Sequence, residues 1–211
     1  MVELREIYAD CTSDVLMRDT VDGIKDEKMY MFSSVDDRYT CVDNKLVGFT
    51  VGESREYDDG IPYMIINVWD IVTGKRDVFP VVNEYGQLVN TGNFNFGLLK
   101  LWSVEDGILY ATADQGAIVH IDMNTGIANM ISDSLEKIDM HTSYRYNFSE
   151  YYSNGKIYQY VEDSNHKEDP YIRVLDMKSG NEVERVYILG FYSAMQGNLV
   201  SGSIAVTPFD E

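Results

Sequence analysis

Ala117-Ile118-Val119-His120-Ile121-Asp122-Met123-Asn124-Thr125-Gly126 reads as a strand that runs into a tight turn closed by glycine. The pattern recurs at Val68-Trp69-Asp70-Ile71-Val72-Thr73-Gly74 and at Val174-Leu175-Asp176-Met177-Lys178-Ser179-Gly180, with a weaker copy at Met17-Arg18-Asp19-Thr20-Val21-Asp22-Gly23. The four aspartates, at 19, 70, 122 and 176, lie 51, 52 and 54 residues apart. That spacing holds one four-stranded sheet per repeat. An aspartate at a strand end accepts a hydrogen bond from the backbone N–H two residues on, and glycine supplies the positive φ that closes a short hairpin with a bulge. Two and four positions before each aspartate stand Val15 and Met17, Ile66 and Val68, Ile118 and His120, Ile172 and Val174. All but His120 are apolar, the period-2 signal of a buried strand face. Past the glycine the residues turn charged, as in Lys75-Arg76-Asp77 and Asn181-Glu182-Val183-Glu184-Arg185. Charge there suits a sheet edge, where it discourages pairing with other chains.

A second hairpin unit recurs between the first. Asn44-Lys45-Leu46-Val47, Asp106-Gly107-Ile108-Leu109-Tyr110, Asn154-Gly155-Lys156-Ile157-Tyr158 and Gly197-Asn198-Leu199-Val200 are each a turn followed by an apolar strand. β-rich runs precede them, over 28–32 and 38–42, 96–102, 144–152 and 186–193, and a single strand over 4–8 precedes the first aspartate hairpin. No helical periodicity intervenes. The chain begins and ends on unlike halves, the last strand finishing about Val206, so the two halves complete each other. The expected fold is all-β: a β-propeller of four blades of about 52 residues, with the N- and C-terminal strands sharing one blade. The whole chain, 1–211, is read as a single propeller domain.

The stretch from Asp106 through Gly126 resembles the repeat of quinoprotein-like (PQQ-type) propellers, and is similar to WD40-like blades of other, non-catalytic propellers. Members carry a tryptophan a few residues past the final glycine that docks onto the next blade. Here Asn129, Met130 and Phe79 fall in that region. The resemblance implies propeller blades and nothing catalytic, and the family's quinone is not carried over. No cofactor is expected.

The net charge of −18 argues against nucleic acid, whose phosphates need clustered Lys and Arg, and against attraction to anionic membrane. It leaves solubility, a basic partner or cation binding. An apolar fraction of 45% and a charged fraction of 25% are those of a folded chain. Cys11 and Cys41 are too few for a disulfide framework, and a bridge between them cannot be read from spacing. Met1-Val2-Glu3-Leu4-Arg5-Glu6 places acids where a signal peptide needs bases, and no stretch approaches 18 apolar residues. The expected location is the cytoplasm or an assembled particle, with no membrane insertion. The sequon Asn147-Phe148-Ser149 matters only in a secreted chain.

Propeller geometry sends hairpin turns to one face and the remaining connections to the other. The hairpin turns are tight. The long connections are 52–60 and 162–169 within blades, both acidic, and 83–95 and 132–142 between blades. Long loops on a rigid scaffold are where binding resides. The expected binding residues are Tyr57, Asp58, Asp59, Tyr85, Asn93, His141, Tyr144, Tyr146 and His166. Tyrosine and asparagine mixed with acids suit recognition of protein or carbohydrate. The acidic loops lack the spaced D-x-D-x-D-G pattern of a Ca²⁺ site and read as solvated charge runs, so no metal is expected. His120 reads as a hydrogen-bonded core histidine. No nucleophile elbow, dinucleotide or P-loop glycine motif, C-x-x-C or H-E-x-x-H occurs. The leading expectation is a non-catalytic binding or scaffold protein that presents an acidic, Tyr/Asn-rich loop face to a protein partner. A carbohydrate-binding module or virion-type adhesin is the alternative, and a hydrolase or lyase with an axial-funnel site the second.

Overall fold

A computed structural model describes residues 2–19, 29–54, 62–89, 99–135 and 145–192. β1 (Val2–Ile7) and β2 (Ser13–Asp19) form an antiparallel pair. Three four-stranded antiparallel sheets follow. The first is β3 (Met29–Val42), β4 (Lys45–Ser54), β5 (Pro62–Asp70) and β6 (Arg76–Pro80). The second is β7 (Lys100–Glu105), β8 (Ile108–Thr112), β9 (Ile118–Asp122) and β10 (Ala128–Met130). The third is β11 (Tyr146–Ser153), β12 (Lys156–Asp163), β13 (Tyr171–Asp176) and β14 (Glu182–Tyr187). A short 3₁₀ turn, Asp114–Gly116, joins β8 to β9. Strands adjacent in sequence are adjacent in each sheet, so each four-stranded sheet is an antiparallel meander, and the fold is all-β and propeller-like. The chain divides into two compact units, Met1–Ala111 with His120–Asn129, and Thr112–Val119 with Met130–Glu211. No helix among the described residues is long and apolar enough to cross a membrane.

The aspartate repeat builds the hairpins. Asp70 Oδ1 accepts the N–H groups of Val72 and Thr73 at 3.0 and 2.8 Å, and Asp122 Oδ1 accepts those of Asn124 and Thr125 at 2.8 and 3.0 Å. Asp176 Oδ1 accepts both the N–H and the hydroxyl of Ser179, at 2.7 and 2.8 Å. Each glycine then donates its N–H back to the aspartate carbonyl, at 2.8 to 2.9 Å, with φ between 69° and 73°. These hydrogen bonds hold all three carboxyls below the ordinary carboxylate range. A carboxyl whose pKa is depressed on folding adds stability above its unfolded value, about 3.9, and loses it as the pH falls through the folded value. Joint replacement of Asp70, Asp122 and Asp176 by asparagine keeps an acceptor and removes the charge. The variant is expected to lose stability at neutral pH and to show a shallower decline below about pH 4. Urea midpoints measured across that range test this, and an acid decline as steep as the parent's would refute it.

The core lies within the central strands, and in β5 and β9 burial extends to both faces. From Tyr63 through Trp69 every residue is buried, including the neighbours Ile65 and Ile66 that point to opposite sides. Ile118, Val119 and Ile121 repeat this in β9. Burial on both sides requires packing against each face of the sheet, and each such side chain contributes about 1.5–3 kcal/mol. β14, by contrast, is exposed along its whole length, as its charge pattern suggested for an edge. Both cysteines are exposed and unbridged.

The tryptophan position of the resembling repeat is filled differently. Phe79 and Ile131 stand five residues past Gly74 and Gly126. The Phe79 ring lies against Gly126, and Ile131 lies against Gly180, each pressing the last strand of one sheet onto the glycine turn of the next. Asn129 and Met130 are exposed instead. Two strand expectations need correction. Residues 29–32 and 38–42 belong to one strand, β3, in which Ser34 pairs with Thr50 and Tyr39 with Gly48, and residue 28 lies outside the described residues. The polar insert bulges out while the apolar partner strand β4 runs on. The run over 186–193 stops at Tyr187, because Ile188 donates to the Pro170 carbonyl and the chain turns at Gly190, φ 71°. The turn after Asp19 and the C-terminal strand that would complete the fourth blade lie outside the described residues.

Candidate recognition surface

The third sheet carries the better-defined loop cluster. The Asn154–Gly155 turn, with φ of 49° and 73°, sets the β11–β12 register, so that Tyr146 pairs with Asp163. That register brings Arg145 beside the carboxylate of Asp163. Arg145 donates to Asp163 from Nε at 3.3 Å and from Nη2 at 3.0 Å, and to Glu168 from Nη2 at 2.7 Å. The N–H groups of Asn165 and Lys167 also point at the Asp163 carboxylate, at 3.0 and 3.2 Å. Asp163 is 2% exposed, and the Arg145 guanidinium, with these backbone donors, holds its carboxyl far below the carboxylate range. Residues 164–168 of the loop are exposed, as a solvated charge run would be, but its first two acids are not. Glu162 and Asp163 are buried, and one acid organises the turn.

Around that hub the loop is tied at several points. Ser164 donates its N–H to the Arg145 carbonyl at 2.8 Å and its hydroxyl to the same oxygen. His166, with φ of 54°, donates its N–H to the Asp163 carbonyl, and its ring stacks on Tyr192 with centroids 4.6 Å apart. Tyr192 donates its hydroxyl to the Asp163 carbonyl at 3.2 Å; burial, then the nearby acids, pushes its phenol up to about 12. Gly190 donates its N–H to Asp169 at 3.0 Å, which fixes the segment carrying Leu189, 82% exposed. The Arg145 guanidinium lies 4.9 Å from the centre of the Tyr146 ring. Sequence reasoning named Tyr146 and His166, and the structure brings both to this end of the sheet. It missed Arg145, Asp163, Leu189 and Tyr192.

Tyr85 stands in the other compact unit, at the tip of a turn that Asn83 builds. Asn83 Oδ1 accepts the N–H groups of Tyr85 and Gln87 at 3.0 and 2.9 Å, while the Asn83 N–H donates to the Gln87 carbonyl and the Asn83 carbonyl accepts the N–H of Gly86. Tyr85 is 78% exposed, and its hydrogen bond to Glu84 raises its phenol. Tyr57, Asp58, Asp59, Asn93, His141 and Tyr144 lie outside the described residues. His120 is half-buried and meets Tyr110 edge-on, with centroids 4.7 Å apart. Among the described residues no group of His, Cys, Asp and Glu is arranged to hold a metal ion.

No protein-family model matches the chain, and no curated protein matches it. Among solved structures it is similar to the computationally designed Ika8 protein, at 20% identity over 70% of this chain and 35% of that one, with a TM-score of 0.33. It is similar to oligogalacturonate lyase in complex with manganese, at 10% identity over 87% of this chain and 48% of that one, with a TM-score of 0.48. It is also similar to a europium-containing methanol dehydrogenase, at 13% identity over 75% of this chain and 27% of that one, with a TM-score of 0.36. The chain spans less than half the length of each of these three. Likenesses this distant say nothing of its chemistry.

Proposed function

We propose that the chain is a non-catalytic binding protein that engages another protein through the loop-bearing ends of its sheets. The observation that carries this reading is the Asp163–Arg145 hub, which holds a seven-residue excursion rigid while His166, Lys167 and Leu189 stay exposed. A loop fixed before it binds loses little entropy on binding, and that raises affinity without added area. Tyr85, presented on its own rigid turn, is the kind of aromatic anchor that dominates interfaces. The charge of −18 favours a partner with a basic surface. Carbohydrate is the second reading, favoured by Tyr85, Tyr151 and Tyr187, each more than a third exposed.

The test is capture of partners by the parent chain, by His166→Ala with Leu189→Ala, and by Val72→Ala on a hairpin turn, alongside a glycan array. A specific protein partner whose affinity falls about 10-fold or more in the loop variant, and is kept in Val72→Ala, supports the reading. A partner bound equally by all three chains refutes it. Glycan binding lost on Tyr187→Ala, with no protein partner, moves the carbohydrate reading to the front.

A further inference from the structure

Arg173 stands mid-strand in β13, 7% exposed. Its Nε donates to Gln159 Oε1 and its Nη2 to the Gly116 carbonyl at 3.2 Å, both neutral acceptors. Among the described residues no ion pair joins it to a carboxylate, although Glu182 and Glu150 act on its charge from nearby, and the two bonds engage two of its five N–H groups. A guanidinium does not shed its proton, and a buried one is ordinarily paired with an acid. On one side the nearest acid is held off by an amide, because Gln159 Nε2 donates to Glu150 Oε1 at 2.7 Å and the Thr112 hydroxyl donates to Glu150 Oε2 at 3.0 Å. On the other side Arg185 of β14 is directly opposite in register, and like charges opposite one another destabilise a sheet. Arg185 is itself engaged twice by Glu182, at 2.7 and 2.6 Å, and lies 4.6 Å from the centre of the Tyr171 ring. On β13 and β14 two guanidiniums face one carboxylate, Glu182, and Glu150 of β11, in the same cross-strand row beyond Gln159, supplies a second.

We propose that Arg173, Arg185, Tyr171 and Tyr187 form an anion-binding notch on the β13–β14 face that takes a single carboxylate or phosphate group of a small ligand. Arg173 forms the floor, with unused N–H donors. Arg185 and Tyr187, the latter 54% exposed and with its ring 5.6 Å from that of Tyr171, form the mouth. An anion between the guanidiniums satisfies the unused donors and relieves the cross-strand repulsion in one step, through charge-assisted hydrogen bonds. The notch rests on strand register and not on the loop surface, so it stands apart from the proposed protein partner.

Thermal unfolding with added inorganic phosphate and, separately, acetate, each against sodium chloride at equal ionic strength, is the experiment. At least one anion is expected to raise the midpoint saturably, and which one does so separates a tetrahedral from a planar guest. Arg185→Gln, a change at the surface, is expected to weaken the apparent affinity by about 10-fold or more. Arg173→Lys keeps the charge, loses the planar fork and is expected to weaken it too. Phosphate also stabilises proteins by exclusion from their surface, so an equal rise in the parent and in Arg185→Gln would overturn the proposal, as would no rise with either anion. If Arg173→Lys does not fold, the Arg185→Gln comparison decides alone.

Discussion

Gly126→Ala is expected to destabilise the fold by about 2–6 kcal/mol, combining the strain of a positive φ with overpacking against a neighbouring strand. Gly126 has φ of 73°, and an added Cβ would stand 2.4 Å from the Pro80 carbonyl oxygen and 3.4 Å from the Phe79 ring. The Pro80 backbone cannot simply retreat. Val82 donates its N–H to the Gly126 carbonyl at 2.9 Å and accepts that of Ala128 at 2.7 Å, so moving this segment breaks a parallel bridge. Gly155→Ala provides the comparison, since Gly155 has the same φ of 73° and nothing within 4 Å of the added Cβ. That variant should lose only the backbone strain, about 1–2 kcal/mol. Gly180→Ala should follow Gly126→Ala, because its Cβ would meet Ile131 Cγ2 at 2.7 Å and the Ile131 carbonyl at 2.8 Å. Urea unfolding of the three variants measures the difference. Equal losses in all three would mean that the glycines serve only their own turns and that docking contributes nothing.

That contrast also shows what the sequence could and could not reveal. Aspartate and glycine four residues apart announce a turn because both act locally, through an acceptor and a permitted φ. The second job of Gly126 and Gly180, giving room to the strand before them, depends on residues 46 and 49 positions earlier and leaves no local trace. Spacing does hold a hint. Phe79 and Ile131 occupy the same offset from their glycines, but one is aromatic and one aliphatic, so residue type conceals the shared role. In the loop over 162–169, whose residues 164–168 are exposed as expected, the buried role of Asp163 is hidden for the same reason. Asp163 sits among acids, lysine and asparagine and looks solvated, while the arginine that neutralises it is 18 residues away. The Asn154–Gly155 turn could have supplied that pair, since a two-residue turn fixes the hairpin register and places residues near 145 opposite residues near 163. Gln159 and Arg173 were harder to find. In a strand alternating with tyrosines and isoleucines, a polar residue facing inward is indistinguishable from one facing outward until the register is known.

Asp163→Ala is expected to cost about 3 kcal/mol and to release the loop that carries His166. Breaking a buried ion pair costs about 3–5 kcal/mol because the surviving charge is left without its partner. Here the figure falls at the low end, since Arg145 is 38% exposed at its side chain and keeps Glu168, and since water can reach it. The N–H groups of Asn165 and Lys167 lose their acceptor as well, and hydrogen exchange at these two amides should speed up more than at the β11–β12 ladder beside them. Asp163→Asn keeps an acceptor and removes the charge, so it should lose the pairing with Arg145 and retain part of the loop geometry. The pH dependence has a definite sign. The Asp163 carboxyl is depressed on folding, so its contribution is complete above about pH 3.9 and fades only as the pH falls below that value. The loop should therefore persist through mildly acidic conditions and open in strong acid, with the His166 ring leaving Tyr192 as it does so. Chemical shifts of the His166 ring, which report stacking on Tyr192, follow that opening directly. If Asp163→Ala leaves those shifts and the amide exchange unchanged, the carboxylate is not the hub, and the rigidity on which the binding surface depends has another source.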